Sequence, residues 1–335
     1  MDWKELYAIA KKQALLGVLF YGIRRLPKEL APEQNLLMQW MAMAEMIRKQ
    51  NIKLFQDSVK VCQNFENEGF ANCILKGQGN ALLYPDPYMR TPGDIDIYLS
   101  GGRKKIMKYV DRVCPNQVMR YHHVDFPVMK TAIEVHFTPS YMFCPIHNRR
   151  MQKWFEEVMG EQCKHRASLP DGYGEIHVPQ VSFNVIYILS HLYRHIFTEG
   201  IGLRQLLDYY YVLISDDLLL IRDRVQKELK HLGLWKFSQT VMFVMKEVFG
   251  LSDDRMIAPM DEKEGRFLLD EIMRGGNFGQ YDDRRGSKVG ESKIHRYFRM
   301  NLRNLRFVKH YPAEALSEPL FRTWFAVWKE MINHC

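Results

Sequence analysis

The stretch Leu75-Lys76-Gly77-Gln78-Gly79, followed by Arg90-Thr91-Pro92-Gly93-Asp94-Ile95-Asp96-Ile97-Tyr98-Leu99, decides the fold. It joins a glycine-rich turn to two carboxylates placed two residues apart on an apolar strand. Successive strand side chains point to opposite faces, so Asp94 and Asp96 project together while Ile95 and Ile97 face the other way. Two carboxylates on one face repel each other unless a cation lies between them. The glycines let backbone N–H groups approach a phosphate closely. A metal-assisted nucleotide site is the expectation that follows.

Outward from this stretch, residues 1–70 show helical spacing of apolar positions. Leu6, Ala10, Leu15 and Leu19 form one run; Leu37, Trp40, Met41, Ala44 and Ile47 a second; Leu54, Val59, Val61 and Phe65 a third. Pro27 and Pro32 separate the first helix from the next, and Gly69 suits a helix C-terminus. Ala71–Leu75 then reads as a short buried strand, residues 77–84 as a short helix stopped by Pro85 and Pro87, Asp94–Leu99 as a strand and Arg103–Val113 as a helix. Val118–Val128 and Thr131–Phe137 are extended segments flanking a hairpin turn at Met129-Lys130. In the second of them, alternation places Glu134 and His136 on one face and Ile133, Val135 and Phe137 on the other. After Glu175–Pro179 the chain returns to helix, with segments at Val185–Phe197, Leu203–Ile214, Leu218–Leu232, Leu234–Val248, Glu264–Met273 and Lys293–Lys309, and a loop over Asp282–Gly290. The order predicts an α+β fold, a small mixed β-sheet with helices packed against it. Its expected parts are an N-terminal helical segment (1–70), an α/β core (71–179) and a C-terminal all-helical domain (180–335).

Length and composition bound the function. A chain of 335 residues exceeds one small domain, and an apolar fraction of 47% with 13% aromatics supports real cores rather than disorder. No long uncharged apolar run predicts a membrane span, and Met1-Asp2-Trp3-Lys4-Glu5 does not open a signal peptide. Cysteines at 62, 73, 114, 144, 163 and 335 are scattered, as reduced cytoplasmic thiols are. The pair Cys144-x-x-His147 has no second pair nearby and is not read as a metal site. The net charge of +8 favours an anionic partner: nucleotide, nucleic acid or a phosphorylated substrate. Arg296, Arg299, Arg303 and Arg306 make a basic helical stripe, with Ile294, Phe298, Leu302 and Leu305 as the apolar stripe. A solvated basic face is the default, and guidance of an anionic acceptor or RNA is the alternative.

A two-metal nucleotidyl-transfer site needs oxygen ligands that bridge two cations about 4 Å apart, and magnesium takes carboxylate and phosphate oxygens. Asp94 and Asp96 meet that need, and Glu134 is the leading third carboxylate. Gly77-Gln78, Asp94-Ile95-Asp96 and Glu134, in this order, resemble the polymerase-β-like nucleotidyltransferase superfamily. The closer likeness is to its uncharacterised bacterial nucleotidyltransferase family. That likeness rests on Leu75-Lys76-Gly77, Tyr84-Pro85, Arg90, Asp94-Ile95-Asp96, Ile133-Glu134-Val135-His136, His191-x-x-x-His195 and Gly202-Leu203-Arg204 with Asp208, over roughly residues 70–210.

The resemblance implies transfer of a nucleoside monophosphate from a nucleoside triphosphate to an acceptor hydroxyl, with Mg²⁺ (Mn²⁺ as the alternative) and release of pyrophosphate. Asp94, Asp96 and Glu134 would hold the metals, and the turn of Lys76, Gly77, Gln78 and Gly79 the triphosphate. The superfamily usually carries Gly-Ser or Gly-Gly in this turn, so Gln78 is a departure. Lys76 and Arg90 are the cationic phosphate partners, with a structural ion pair and a loop anchor as their respective alternatives. His136, His191, His195 and Arg204 are candidate acceptor or cleft contacts. Hydrogen bonding in the protein interior is the plainer role for His191 and His195, and an intrahelical pair with Asp208 for Arg204. The acceptor is expected to be a small molecule, less so RNA or protein. The alternative function is a non-catalytic nucleotide- or nucleic-acid-binding protein.

Overall fold

The periodic apolar residues of the first 70 positions form three helices, α1 (Trp3–Lys12), α2 (Leu16–Ile23) and α3 (Gln34–Asn67). Residues 1–285 and 292–333 are described in this computed structural model; part of the loop expected over Asp282–Gly290, the side chain of Ile294 and Cys335 lie outside them. Asp2 caps α1 by accepting N–H bonds from Lys4 and Glu5, both at 3.0 Å. The second and third apolar runs belong to one uninterrupted helix of 34 residues. Its buried stripe includes Trp40, Ala44, Ile47, Leu54, Phe55, Val61 and Phe65, and the Trp40 indole donates to the Leu16 carbonyl at 2.8 Å. Met41, expected in the stripe, is 54% exposed: one position round from Trp40, it lies beyond the buried edge.

The sheet follows from the alternation. Its strands are β1 (Asn72–Ile74), β2 (Ile95–Leu99), β3 (His123–Asp125) and β4 (Ile133–His136), in the spatial order β1-β2-β4-β3. β2 lies antiparallel to β1 and parallel to β4, and β3 and β4 close as an antiparallel hairpin. A parallel pair needs a long crossover, and the chain between β2 and β4 carries α5 (Gly102–Val113) after the one-turn α4 (Gln78–Ala81) that precedes β2. One sheet face is the apolar set Ile74, Ile95, Ile97, Leu99, Val124, Ile133 and Val135, each at most 3% exposed. Phe65 of α3 meets Phe126 at 5.4 Å and Tyr109 of α5 at 5.8 Å between ring centroids, so helices cover that face with aromatic contacts. The mixed sheet with helices is the α+β fold that the pattern predicts.

Two compact units are distinguishable, Met1–Pro139 with Phe155–Asn184, and Ser140–Trp154 with Val185–Cys335. The first also holds the strands β5 (Arg166–Ser168) and β6 (Glu175–His177), a separate antiparallel pair after α6 (Pro145–Gln162). The second is built from α7 (Val181–Phe197), α8 (Leu203–Leu213), α9 (Asp216–His231), α10 (Trp235–Phe249), α11 (Glu262–Gly275), α12 (Lys293–Val308) and α13 (Pro312–Asn333). Among the described residues, no helix is long and apolar enough to cross a membrane. Cys62, Cys73, Cys114, Cys144 and Cys163 are free thiols.

α10 and α11 pack closely because Gly265 has no side chain. A Cβ there would lie 2.4 Å from Cβ of Phe243. Gly265→Ala is expected to cost about 1–3 kcal/mol by overpacking, despite its better helix propensity, read as a lower urea midpoint at unchanged slope.

The basic stripe of α12 is not uniformly solvated. Arg303 is buried, and its Nε lies 3.3 Å from Oδ2 of Asp282; Arg306 pairs with Glu271 at 2.6 Å. Burial works against the Asp282 charge, but hydrogen bonds from Arg284 and the field of Arg303 hold its pKa down to about 2. Phe298, Leu302 and Leu305 are instead 59–69% exposed. Ion pairing with acids elsewhere in the unit turns the Arg303–Arg306 end of the polar stripe inward, while Arg296 stays exposed.

Candidate functional site

The parallel register of β2 and β4 sets Asp96 directly beside Glu134 and Tyr98 beside His136. The antiparallel hairpin sets His123 beside His136 and Asp125 beside Glu134. Residues opposite one another share a face, so the sheet's polar side gathers Asp96, Glu134, His136, His123 and Asp125. Asp94, two residues before Asp96, sits just ahead of β2 and adds its charge to the same group.

Lys76, two residues past β1, places Nζ 3.0 Å from Oδ1 of Asp96, and Nε2 of His136 lies 3.0 Å from the same oxygen. His136 Nε2 is 3.6 Å from Oε2 of Glu134, which in turn is 3.3 Å from Nδ1 of His123. Nδ1 of His123 is also 3.3 Å from Nε2 of His122. Asp96 and His136 are almost wholly buried, whereas the Glu134 side chain is 29% exposed and reaches solvent.

The charges divide unevenly. The neighbouring Asp96 and burial together push Asp94 up to about 6, with Lys76 opposing. Burial also disfavours the Asp96 anion, but Lys76 and His136 outweigh it and hold that carboxyl well below the usual range. Glu134 is held down in the same way by its histidine neighbours against burial. His136 is raised, its two carboxylate partners overcoming the cost of burying a cation. The raised Asp94 reports crowding of its charge against Asp96 and Glu134, which a divalent cation among the acids would relieve. The ligand atoms of Asp96, Glu134 and His136 lie within 4.8 Å of one another, and so do those of His123, Asp125 and Glu134. This donor set of oxygens with imidazole nitrogens fits such an ion.

Gly77 adopts φ +63°, a backbone region that favours glycine, and abuts the carbonyl of Asp94. The turn therefore touches the acid-bearing strand. Gln78 is buried and its Nε2 donates to Oδ1 of Asn51 on α3 at 3.2 Å. Asn51 Nδ2 donates to the carbonyls of Tyr88 and Arg90, both at 2.8 Å. The Gln78 side chain is thus a structural tie, and any phosphate contact in the turn falls to backbone and to Lys76. Gly79 packs on Val178, where a Cβ would lie 3.0 Å from the valine. Arg90 is 2% exposed, within the loop that Asn51 fastens.

His191, His195 and Arg204 are in the second unit and buried. The two imidazoles are 4.2 Å apart, and Arg194 Nη2 lies 3.3 Å from Nδ1 of His191 and 3.0 Å from Nε2 of His195. Sequence reasoning passed over Arg194, His122, His123 and Asp125. The readable signal for the last two was alternation in the extended segment after Val118, which sets His123 and Asp125 on one face.

The model of a family described as an uncharacterised nucleotidyltransferase matches residues 1–250, a span that contains the whole acid cluster and its glycine turn. Comparison with the curated proteins and with the solved structures found no match. The family match covers most of the chain, and the chain belongs to this uncharacterised nucleotidyltransferase family.

Proposed function

We propose that the protein transfers a nucleoside monophosphate from a nucleoside triphosphate to an acceptor hydroxyl, with Mg²⁺ (or Mn²⁺) held by Asp94, Asp96 and Glu134 and pyrophosphate as the leaving group. The observation that carries this reading is the strand register that aligns Asp96 with Glu134, with Asp94 charged against Asp96 at the same place. When bound, the cation supplies Lewis-acid stabilisation of charge on the phosphates. The chain supplies the rest. Lys76 offsets the excess negative charge of the acids and meets the triphosphate beside the Gly77 turn. His136, bonded to Asp96 and close to Glu134, fixes the orientation of both carboxylates. Glu134, the partly exposed acid, accepts the proton of the acceptor hydroxyl.

Isothermal titration of nucleoside triphosphate, with and without Mg²⁺, tests the reading. Wild type is expected to bind in a metal-dependent manner and the Asp94→Ala/Asp96→Ala variant not to bind. Binding that ignores both metal and loss of the acids would refute it. Incubation with α-phosphate-labelled triphosphate and cell extract then identifies the acceptor by the label it receives.

A further inference from the structure

In the second unit, Cys144 stands immediately before α6 and His147 lies on its first turn, a spacing of three that puts both side chains on one side of the helix start. Glu314, from the first turn of α13, reaches the same point. Nδ1 of His147 lies 3.0 Å from Oε1 of Glu314, and one ligand atom each from Cys144, His147 and Glu314 lie within 4.8 Å of one another. We propose that Cys144, His147 and Glu314 form a zinc-class metal site, independent of the acid cluster on the sheet.

The carboxylate is built for such a role. Its side chain is 2% exposed, and Oε2 accepts N–H bonds from Phe143 at 2.6 Å and Cys144 at 3.1 Å. Those bonds fix the group in orientation and leave Oε1 to the imidazole, as outer hydrogen bonds do for ligating carboxylates. A helix cap alone explains Oε2. It does not explain why an imidazole and a thiol gather at this carboxylate. The ring is also held in place, because Gly233 packs on it so closely that a Cβ there would lie 2.5 Å from Nε2. Nδ1 is therefore the nitrogen offered to the site.

Distances decide what fits. Tetrahedral zinc at about 2.0–2.2 Å from N and O and 2.3 Å from S needs ligand separations of about 3.3–3.6 Å. The His147–Glu314 pair would open by a few tenths of an ångström and the thiol would close by no more than about 1 Å, within reach of side-chain rotation. Cys144 and His147 are half-buried, so a fourth position stays open to water. One sulfur, one nitrogen and one oxygen select zinc or cobalt over magnesium. On binding, the thiol gives up its proton to solvent and the metal–sulfur bond takes its place.

The test uses Co²⁺ as a spectroscopic probe on the full chain. Wild type is expected to bind Co²⁺ with a thiolate-to-cobalt charge-transfer band in the near ultraviolet, which Zn²⁺ abolishes by displacement. Cys144→Ser loses the band, and His147→Ala weakens cobalt binding at least about tenfold. The Asp94→Asn variant keeps the band, which separates this site from the proposed nucleotidyl-transfer centre. A wild-type complex with no such band, or a band that survives in Cys144→Ser, would overturn the proposal.

Discussion

Asp96→Ala is expected to lower the free energy of unfolding by about 3–5 kcal/mol, the range for breaking a buried ion pair by removing one partner. The reason lies in what remains. Lys76 and the buried His136 both direct charge or a hydrogen bond at one Asp96 oxygen, and alanine removes the buried acceptor they share. The sign of the pH dependence follows from the depressed carboxyl. Its stabilisation is present above the ordinary carboxylate range and is lost as pH falls through the lower folded-state value. Urea unfolding at neutral pH and near pH 3 measures both effects, and the gap between wild type and variant narrows at the acid end. If Asp96 holds the metal as proposed, nucleotidyl transfer falls by about a thousandfold or more, because loss of a metal ligand removes several kcal/mol of transition-state stabilisation. A variant as stable as wild type would show that the three groups are not energetically coupled.

Asp94→Asn is expected to act in the opposite direction on stability. Asp94 has its pKa raised from 3.8 to about 6, chiefly by Asp96, so the native state resists its ionisation. The stability tied to this group is complete below the ordinary carboxylate range and disappears as pH rises through about 6. At pH 7 and above the wild type carries that penalty and the amide does not. The shift corresponds to about 1–3 kcal/mol once partial solvent screening is allowed for, so the variant melts a few degrees higher at pH 8 and loses the advantage at pH 4. Transfer activity and divalent-cation affinity collapse in the same variant. If Asp94 holds the proposed cation, wild-type affinity for it weakens as pH drops below about 6, where a proton competes for the carboxylate. Stability gained with function lost is the mark of a charge retained for what it binds. Melting curves and cation titrations at pH 4 and pH 8 give both signs; a variant less stable than wild type at pH 8 would refute the charge-crowding account.

The sheet and its acids were legible because strand alternation is a local property. Asp94, Asp96, Glu134 and His136 can be assigned to a face by counting in twos, and a parallel register then sets Asp96 beside Glu134. What escaped were facts of tertiary pairing. Helical spacing drew two stripes on α12 correctly but held no information on which one turns inward, since that depends on Asp282 and Glu271 lying opposite Arg303 and Arg306. Cys144 and His147 looked isolated because Glu314 arrives from some 170 positions later in the chain. Gln78 looked like a weak phosphate ligand because its partner, Asn51, lies 27 residues upstream on α3.

That last pairing gives the unusual turn a different meaning. One amide on α3 holds Gln78 through its oxygen and the Tyr88 and Arg90 carbonyls through its nitrogen. Placing a serine at position 78 would not simply add a hydroxyl to the turn. It would leave Oδ1 of Asn51 without its buried donor and cut the turn loose from the helix that positions it. Positions 51 and 78 therefore act as one unit, and a substitution in the turn at residue 78 keeps its anchorage only if residue 51 is rewritten along with it.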